Sequence, residues 1–202
     1  MRGDASVEDA LVREANRGDR EAFARLVASH HGRIRALLGY LARDRVVADD
    51  LAQQTFLRAW ERLGSFRGDS SARFGAWLTQ IAYREFLQLT RRDKRWAALV
   101  DLESSLEELA AADTCGGYER GELRGSRDPV ELDISRLLAP CSRVQAEALY
   151  MNFVLELTHE EIAVITQQPL GTVKSHISRG KKVVKMRLET EKVSATGAGD
   201  DH

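Results

Sequence analysis

Thr158-His159-Glu160-Glu161-Ile162-Ala163-Val164-Ile165-Thr166-Gln167-Gln168-Pro169-Leu170-Gly171-Thr172-Val173-Lys174-Ser175-His176-Ile177-Ser178-Arg179-Gly180-Lys181-Lys182 spells two helices and the break between them. Thr158 with Glu161 three residues on is a capping box, in which each side chain satisfies the other's free backbone N–H. Ile162 and Ile165 carry the buried side of the short helix that follows. Gln167-Gln168-Pro169 interrupts it, since proline cannot continue the hydrogen-bonding pattern. In the second helix Val173, Ile177, Gly180 and Val184 recur at helical spacing and face inward. Lys174, Ser175, Ser178, Arg179 and Lys182 face outward, joined by Thr172, His176 and Lys181 around the exposed part of the turn. This is the layout of a helix-turn-helix whose second helix enters a DNA major groove. Residues 171–189 hold six basic side chains against one acid, which supplies the attraction to phosphate.

Working outward, the rest of the chain also reads as helical. Between the first helix of the motif and residue 132, two further helices are expected, over 132–138 and 142–154. The second helix of the motif is expected to run over 171–188, before a frayed tail at 190–202. At the other end, Asp19 can cap a helix bearing Glu21 in its first turn. Phe23, Leu26, Val27, His30, Ile34, Leu37, Leu38 and Leu41 then recur at helical spacing. A second helix spans about 49–63 and a third about 71–92, separated by the glycine- and serine-rich loop 64–70. Residues 1–17 are read as an N-terminal tail. Residues 97–131 lack sustained periodicity, carry Gly116, Gly117, Gly121 and Gly125, and read as a flexible linker with at most a transient helix near 102–111. The expected fold is all-α: two small helical domains, 18–96 and 132–189, joined by that linker.

Charge divides the chain in the same places. The net charge is −1, but residues 20–100 hold 15 basic and 8 acidic side chains, residues 101–133 hold 3 and 10, and residues 134–189 hold 8 and 5. Two basic blocks around an acidic connector suit two modules that face nucleic acid.

In the 49–63 helix, Ala52, Phe56, Ala59, Trp60 and Leu63 share one face at about 100° per residue. Asp50, Gln53, Gln54, Leu57 and Glu61 lie opposite, with Asp49 at the helix start. A leucine ringed by polar and acidic groups is what a docking surface needs, although a single exposed leucine is also common. The segment from Phe66 onward holds Arg67, Asp69 and Ser70 in the loop. On the following helix come Arg73, Trp77, Gln80, Tyr83, Arg84, Gln88 and Arg91. Phe74, Leu78, Ile81, Ala82, Phe86 and Leu89 are expected to form that helix's buried face, with Trp77 and Tyr83 at its margins. Arginines beside aromatic rings suit single-stranded DNA, the cations holding phosphates while the rings stack on bases. Trp77 could equally belong to the core.

An enzyme finds no material here. His30 and His31 are adjacent, His159-Glu160-Glu161 lacks the second histidine of a zinc motif, and Cys115 and Cys141 are alone. No metal, cofactor or disulfide is expected. No apolar run approaches the roughly 20 residues that span a bilayer, and the N-terminus lacks a signal peptide, so a cytoplasmic protein without membrane insertion is expected. A stand-alone helix-turn-helix regulator would account for 132–189 equally well, but not for the docking face or the arginine-aromatic helix.

Together these segments resemble the extracytoplasmic-function sigma factors of the sigma-70 family, over about residues 18–95 and 132–189. The run from Asp49 to Trp60 resembles the segment that docks on the β′ clamp helices of RNA polymerase. Phe66–Ser70 with Phe74–Leu78 resembles the element that melts the promoter and reads its −10 sequence. Glu160–Ala163 and Gly171–Ser175 resemble the −35-reading motif. The resemblance implies that the first domain binds core RNA polymerase through the clamp helices and the second through the β flap. It implies promoter DNA as ligand and an anti-sigma protein as regulator, often membrane-anchored, closing around both domains. It also implies a path for the acidic linker within polymerase where nucleic acid runs. The sequence departs from the family pattern at Gln54, where glutamate is usual, at Gln167, where the turn commonly has glycine, and at His176, usually arginine. The loop from Gly68 to Phe74 is slightly longer than is common.

Overall fold

A computed structural model describes residues 2–66, 73–92 and 129–196, with side chains placed from 7 to 66, 73 to 92 and 133 to 190. Its helices fall into two compact units. The first holds α1 (Arg2–Asn16), α2 (Arg20–Ala42), α3 (Arg45–Arg62), a 3-10 turn (Leu63–Ser65) and α4 (Phe74–Arg92). The second holds α5 (Pro129–Leu137), α6 (Arg143–Leu149), a π turn (Tyr150–Val154), α7 (His159–Thr166) and α8 (Leu170–Thr196).

Local chemistry sets the ends of these helices. Gly18, at φ +95, makes the left-handed step out of α1 that favours glycine. Asp19 then accepts from the Glu21 and Ala22 N–H groups at 2.8 and 3.2 Å, capping α2 as expected. Asp44 caps α3 in the same way through Val46 and Val47. Arg43, left-handed at φ +55, ends α2 one residue earlier, so α2 and α3 are joined by a tight two-residue corner. Ser142 with Gln145 and Thr158 with Glu161 form complete capping boxes at α6 and α7.

In the first unit α2 packs on α1, α3 and α4, and α3 packs on α4. The core comprises Leu26, Ile34, Leu37 and Leu38 of α2, Leu51, Ala52 and Ala59 of α3, and Leu78, Ile81, Ala82 and Phe86 of α4. Thr55 is fully buried as well, its hydroxyl donating to the Leu51 carbonyl at 2.7 Å. The second unit is built around α8, which packs on α6 and α7. Its core includes Leu149, Met151, Leu157, Ile162, Ile165, Val173 and Ile177.

Five expectations need correction. Helix α3 begins at Arg45, one turn before the expected start near 49, because Asp44 caps it. The segment 1–17 is not a tail: α1 buries Leu11, Val12 and Ala15 against α2, with apolar positions one turn apart. The acidic linker ends earlier than residue 131, because α5 already begins at Pro129. Helix α8 continues to Thr196, into the expected tail. On α4 the buried face is rotated, so that Tyr83 is buried at 7% exposure and Leu89 is 38% exposed, with Thr90 buried beside it. Arg67, Asp69, Ser70 and most of the linker lie outside the described residues, as does the helix expected near 102–111.

Candidate nucleic-acid interface

Helix α3 presents Asp50, Gln53, Gln54, Leu57 and Glu61 to solvent, Leu57 at 53% exposure, while Ala48, Leu51, Ala52, Thr55 and Ala59 face the core. Phe56 and Trp60 are half-buried at the edge of that core: Phe56 stacks on His31 with centroids 5.9 Å apart, and Trp60 meets Phe23 at 4.9 Å. Val46, 72% exposed, lies on the outward side four residues before Asp50 and eleven before Leu57. Sequence reasoning missed it, although the helical spacing alone puts it on that face.

Two acids of this surface are already engaged. Asp49 is paired with the Arg35 guanidinium of α2, which holds its carboxyl below the ordinary aspartate value. Glu61 accepts from Arg58 at 3.3 Å, and Arg58 also reaches Glu85 of α4 at 3.8 Å. Asp49 therefore fastens α3 to α2, leaving Asp50, Gln53, Gln54 and Leu57 as the exposed centre of the patch.

Helix α4 carries the arginine stripe. Arg73, Arg84, Gln88, Arg91 and Arg92 are exposed and Gln80 is half-buried. Trp77 is half-buried in a cluster with Phe66 (5.1 Å) and Phe74 (5.5 Å), so its ring belongs partly to the core and partly to the surface. Tyr83 packs on Phe86 and is buried, so it cannot stack on a base without leaving the core. One support was illegible in the sequence. His30 of α2 meets Glu8 of α1 at 3.1 Å and Phe74 at a centroid distance of 5.4 Å. A Cβ on Gly75 would lie 3.2 Å from the His30 ring. The hydrogen bond with His30 holds the Glu8 carboxyl below its usual value. Three helices thus meet at His30, directly beneath the start of the arginine stripe.

On α8 the turn delivers the basic face. Gln167 is left-handed at φ +58, a region that costs an ordinary residue roughly 1–2 kcal/mol. Pro169 then accepts from Thr172 and Val173 to start the helix. Thr172, Lys174, Ser178, Arg179, Lys181 and Lys182 are exposed, Ser175 is half-buried, and Val173, Ile177 and Gly180 are buried. His176 departs from the simple picture. It is half-buried, and its Nδ1 is enclosed without a hydrogen-bond partner among the described residues. Burial, and then the charge of Arg179, push its pKa below the usual histidine value. That shift favours the neutral form of the ring, which lies at the flank of the basic face of α8.

No described helix is long and apolar enough to cross a membrane, and no metal-ligating cluster of three groups occurs among the described residues. Exposed cations thus line α8 in one unit and α4 in the other, and α3 bears a separate patch centred on Leu57.

The chain is similar to known proteins along most of its length. The family description "Sigma-70 region 2" matches residues 26–96 and "Sigma-70, region 4" matches residues 133–184. The chain is 30% identical over 183 residues to the RNA polymerase sigma-H factor of Pseudomonas aeruginosa, covering 90% of this chain and 94% of that one. It is 28% identical to the ECF RNA polymerase sigma-E factor of Haemophilus influenzae, covering 90% and 95% respectively. Its fold is similar to that of the sigma factor RpoE solved in complex with the anti-sigma factor NepR from Bartonella quintana. That likeness has a TM-score of 0.57 at 23% identity, over 83% of this chain and 96% of that one.

Proposed function

The chain belongs to the extracytoplasmic-function group of the sigma-70 family and directs promoter-specific transcription initiation with RNA polymerase; from that premise we propose which surface does each task. Helix α3 docks on the β′ clamp helices of core polymerase through Asp50, Gln53, Gln54 and Leu57, with Val46 extending the contact. Residues 66–77, with Arg73 and Trp77, and the α4 stripe of Gln80, Arg84 and Arg91 read the −10 element as single strand. Helix α8 reads the −35 element through Thr172, Lys174, Ser175, Ser178 and Arg179, with Lys181 and Lys182 on phosphates, while its unit meets the β flap.

The observation that carries this reading is the separation of exposed functional side chains from buried partners on the same helices. Leu57 is exposed where Leu51 is buried, and Arg179 is exposed where Ile177 is buried. Leu57 with Val46 on the same side of α3, among acids and amides, offers a partner apolar contact ringed by polar groups. Five exposed basic residues of α8, Lys174, Arg179, Lys181, Lys182 and Lys185, have the same logic for DNA. The protein acts as an initiation factor, with catalysis left to polymerase, and works in the cytoplasm where polymerase is.

An anti-sigma protein restrains it by covering the polymerase-facing surfaces of both units, as the NepR complex of a similar fold supports. Reconstituting core polymerase with this chain and sequencing the transcripts tests the whole reading. Transcripts from one class of promoter, lost in a Leu57→Ala or Arg179→Ala variant that melts normally, are the expected result. Unchanged initiation by both variants would overturn the assignment.

A further inference from the structure

Phe153 lies in the π turn that follows α6. Both flanks of this turn are anchored: Tyr150, Met151, Leu155 and Leu157 are buried. The Leu157 N–H donates to the Met151 carbonyl at 3.0 Å, and the Asn152 amide donates to the Leu157 carbonyl at 2.8 Å. Phe153 nevertheless points outward at 59% exposure, and the Lys181 ammonium of α8 sits over its ring, 4.8 Å from the centroid.

Lys181 belongs to a row. Lys174, Lys181 and Lys185, seven and four residues apart, share one edge of α8, the edge on which Lys174 joins the recognition face. Two members of the row are held in chemically different ways. Lys185 lies 3.8 Å from the Glu189 carboxylate. Lys181 has no carboxylate partner among the described residues; it has the ring. A carboxylate restrains an ammonium but cancels its charge, and must be displaced before a phosphate takes its place. An aromatic face restrains the ammonium through its quadrupole and carries no net charge. The N–H donors on the side away from the ring keep their full field.

We propose that Phe153 is a positioning residue for promoter binding, which holds the Lys181 ammonium in place for a DNA phosphate flanking the −35 element. The proposal rests on α8 being the groove helix. It adds a residue outside the helix-turn-helix to the contact, and it makes the π turn the rigid post from which that residue works.

The test uses full-length protein reconstituted with core RNA polymerase, titrated over a range of salt onto a promoter duplex mapped from this holoenzyme's own transcripts. Lys181→Ala should flatten the dependence of log K on log salt by about 0.9, the loss of one phosphate contact. Phe153→Leu keeps apolar bulk but removes the ring face, and should weaken binding about two- to fivefold with a partial flattening, as an exposed cation–π contact is worth. Phe153→Tyr retains the face and should restore wild-type binding. In the Lys181→Ala background, Phe153→Leu should add nothing. Melting curves of each variant exclude a folding defect, which the tyrosine rescue excludes independently.

Three results overturn the proposal: Phe153→Leu leaving salt dependence and affinity unchanged, additive losses in the double variant, or weakened core binding with DNA binding intact, which would make the pair a polymerase contact. If Arg179→Ala and Lys174→Ala are also without effect, the reading of α8 falls together with the proposal, a pattern distinct from failure at Phe153 alone.

Discussion

Gly180 of α8 approaches Leu149 of α6 so closely that a Cβ at position 180 would lie 2.7 Å from Leu149 Cδ1 and 3.2 Å from its Cγ. Leu149 is itself only 3% exposed, so it has little room to retreat. A glycine inside a helix ordinarily costs about 1 kcal/mol relative to alanine; here it is the condition for the recognition helix to sit against its support.

Gly180→Ala should therefore lower the stability of the second unit, because overpacking of roughly 1–3 kcal/mol exceeds the gain in helix propensity. Placing the same substitution in a Leu149→Ala background should reverse the sign. Thermal melts followed by circular dichroism check this; a stabilised single Gly180→Ala variant would show that α6 and α8 are less tightly docked.

Leu57→Ala should reduce affinity for core polymerase while changing stability by no more than about 0.5 kcal/mol, as for a surface site. Leu51→Ala, on the buried side of the same helix, should instead cost about 2–5 kcal/mol. Co-elution with core polymerase and chemical denaturation separate the two effects. If Leu57→Ala unfolds the unit as Leu51→Ala does, the docking assignment fails.

Trp77→Ala should impair promoter opening more than closed-complex formation. A template with a pre-melted bubble should then rescue transcription. Because Trp77 also packs on Phe66 and Phe74, Arg84→Ala, on the exposed stripe, serves as a partner variant with no core contact to lose. Failure of the bubble to rescue Trp77→Ala, with Arg84→Ala normal, would assign the tryptophan to folding alone.

His176 predicts a pH dependence with a definite sign. Its pKa is lowered in the folded state from a reference of 6.5, so the unfolded chain takes up the proton first as pH falls. The stability that goes with neutral His176 is present above about pH 6.5 and declines below it, towards the folded pKa. His176→Gln should flatten the melting temperature between pH 7 and 5.5 relative to wild type. Equal slopes in the two proteins would show that the ring titrates as if exposed.

What the chain alone determined is what depends on neighbours in sequence. Asp19, Asp44, Ser142 and Thr158 begin helices by bonding N–H groups two or three residues on; such contacts need no knowledge of the rest of the fold. The opposition of Leu57 to Ala52 and Ala59 follows from helical geometry in the same way, as does the split of α8 into Val173, Ile177 and Gly180 on one side and Arg179 on the other. Tertiary structure decided the margins of those faces, because periodicity says which residues share a side but not which helix covers its edge. Tyr83 rather than Leu89 went inside α4, and His176 turned its Nδ1 inward. Residues 2–16 became a packed helix because α2 offered a surface for Leu11 and Val12. The pairs that pin the surfaces, Glu8 with His30, Arg35 with Asp49 and Phe153 with Lys181, join residues on different elements. Their spacing in sequence carries no signal, since only the crossing of packed helices brings their side chains within reach.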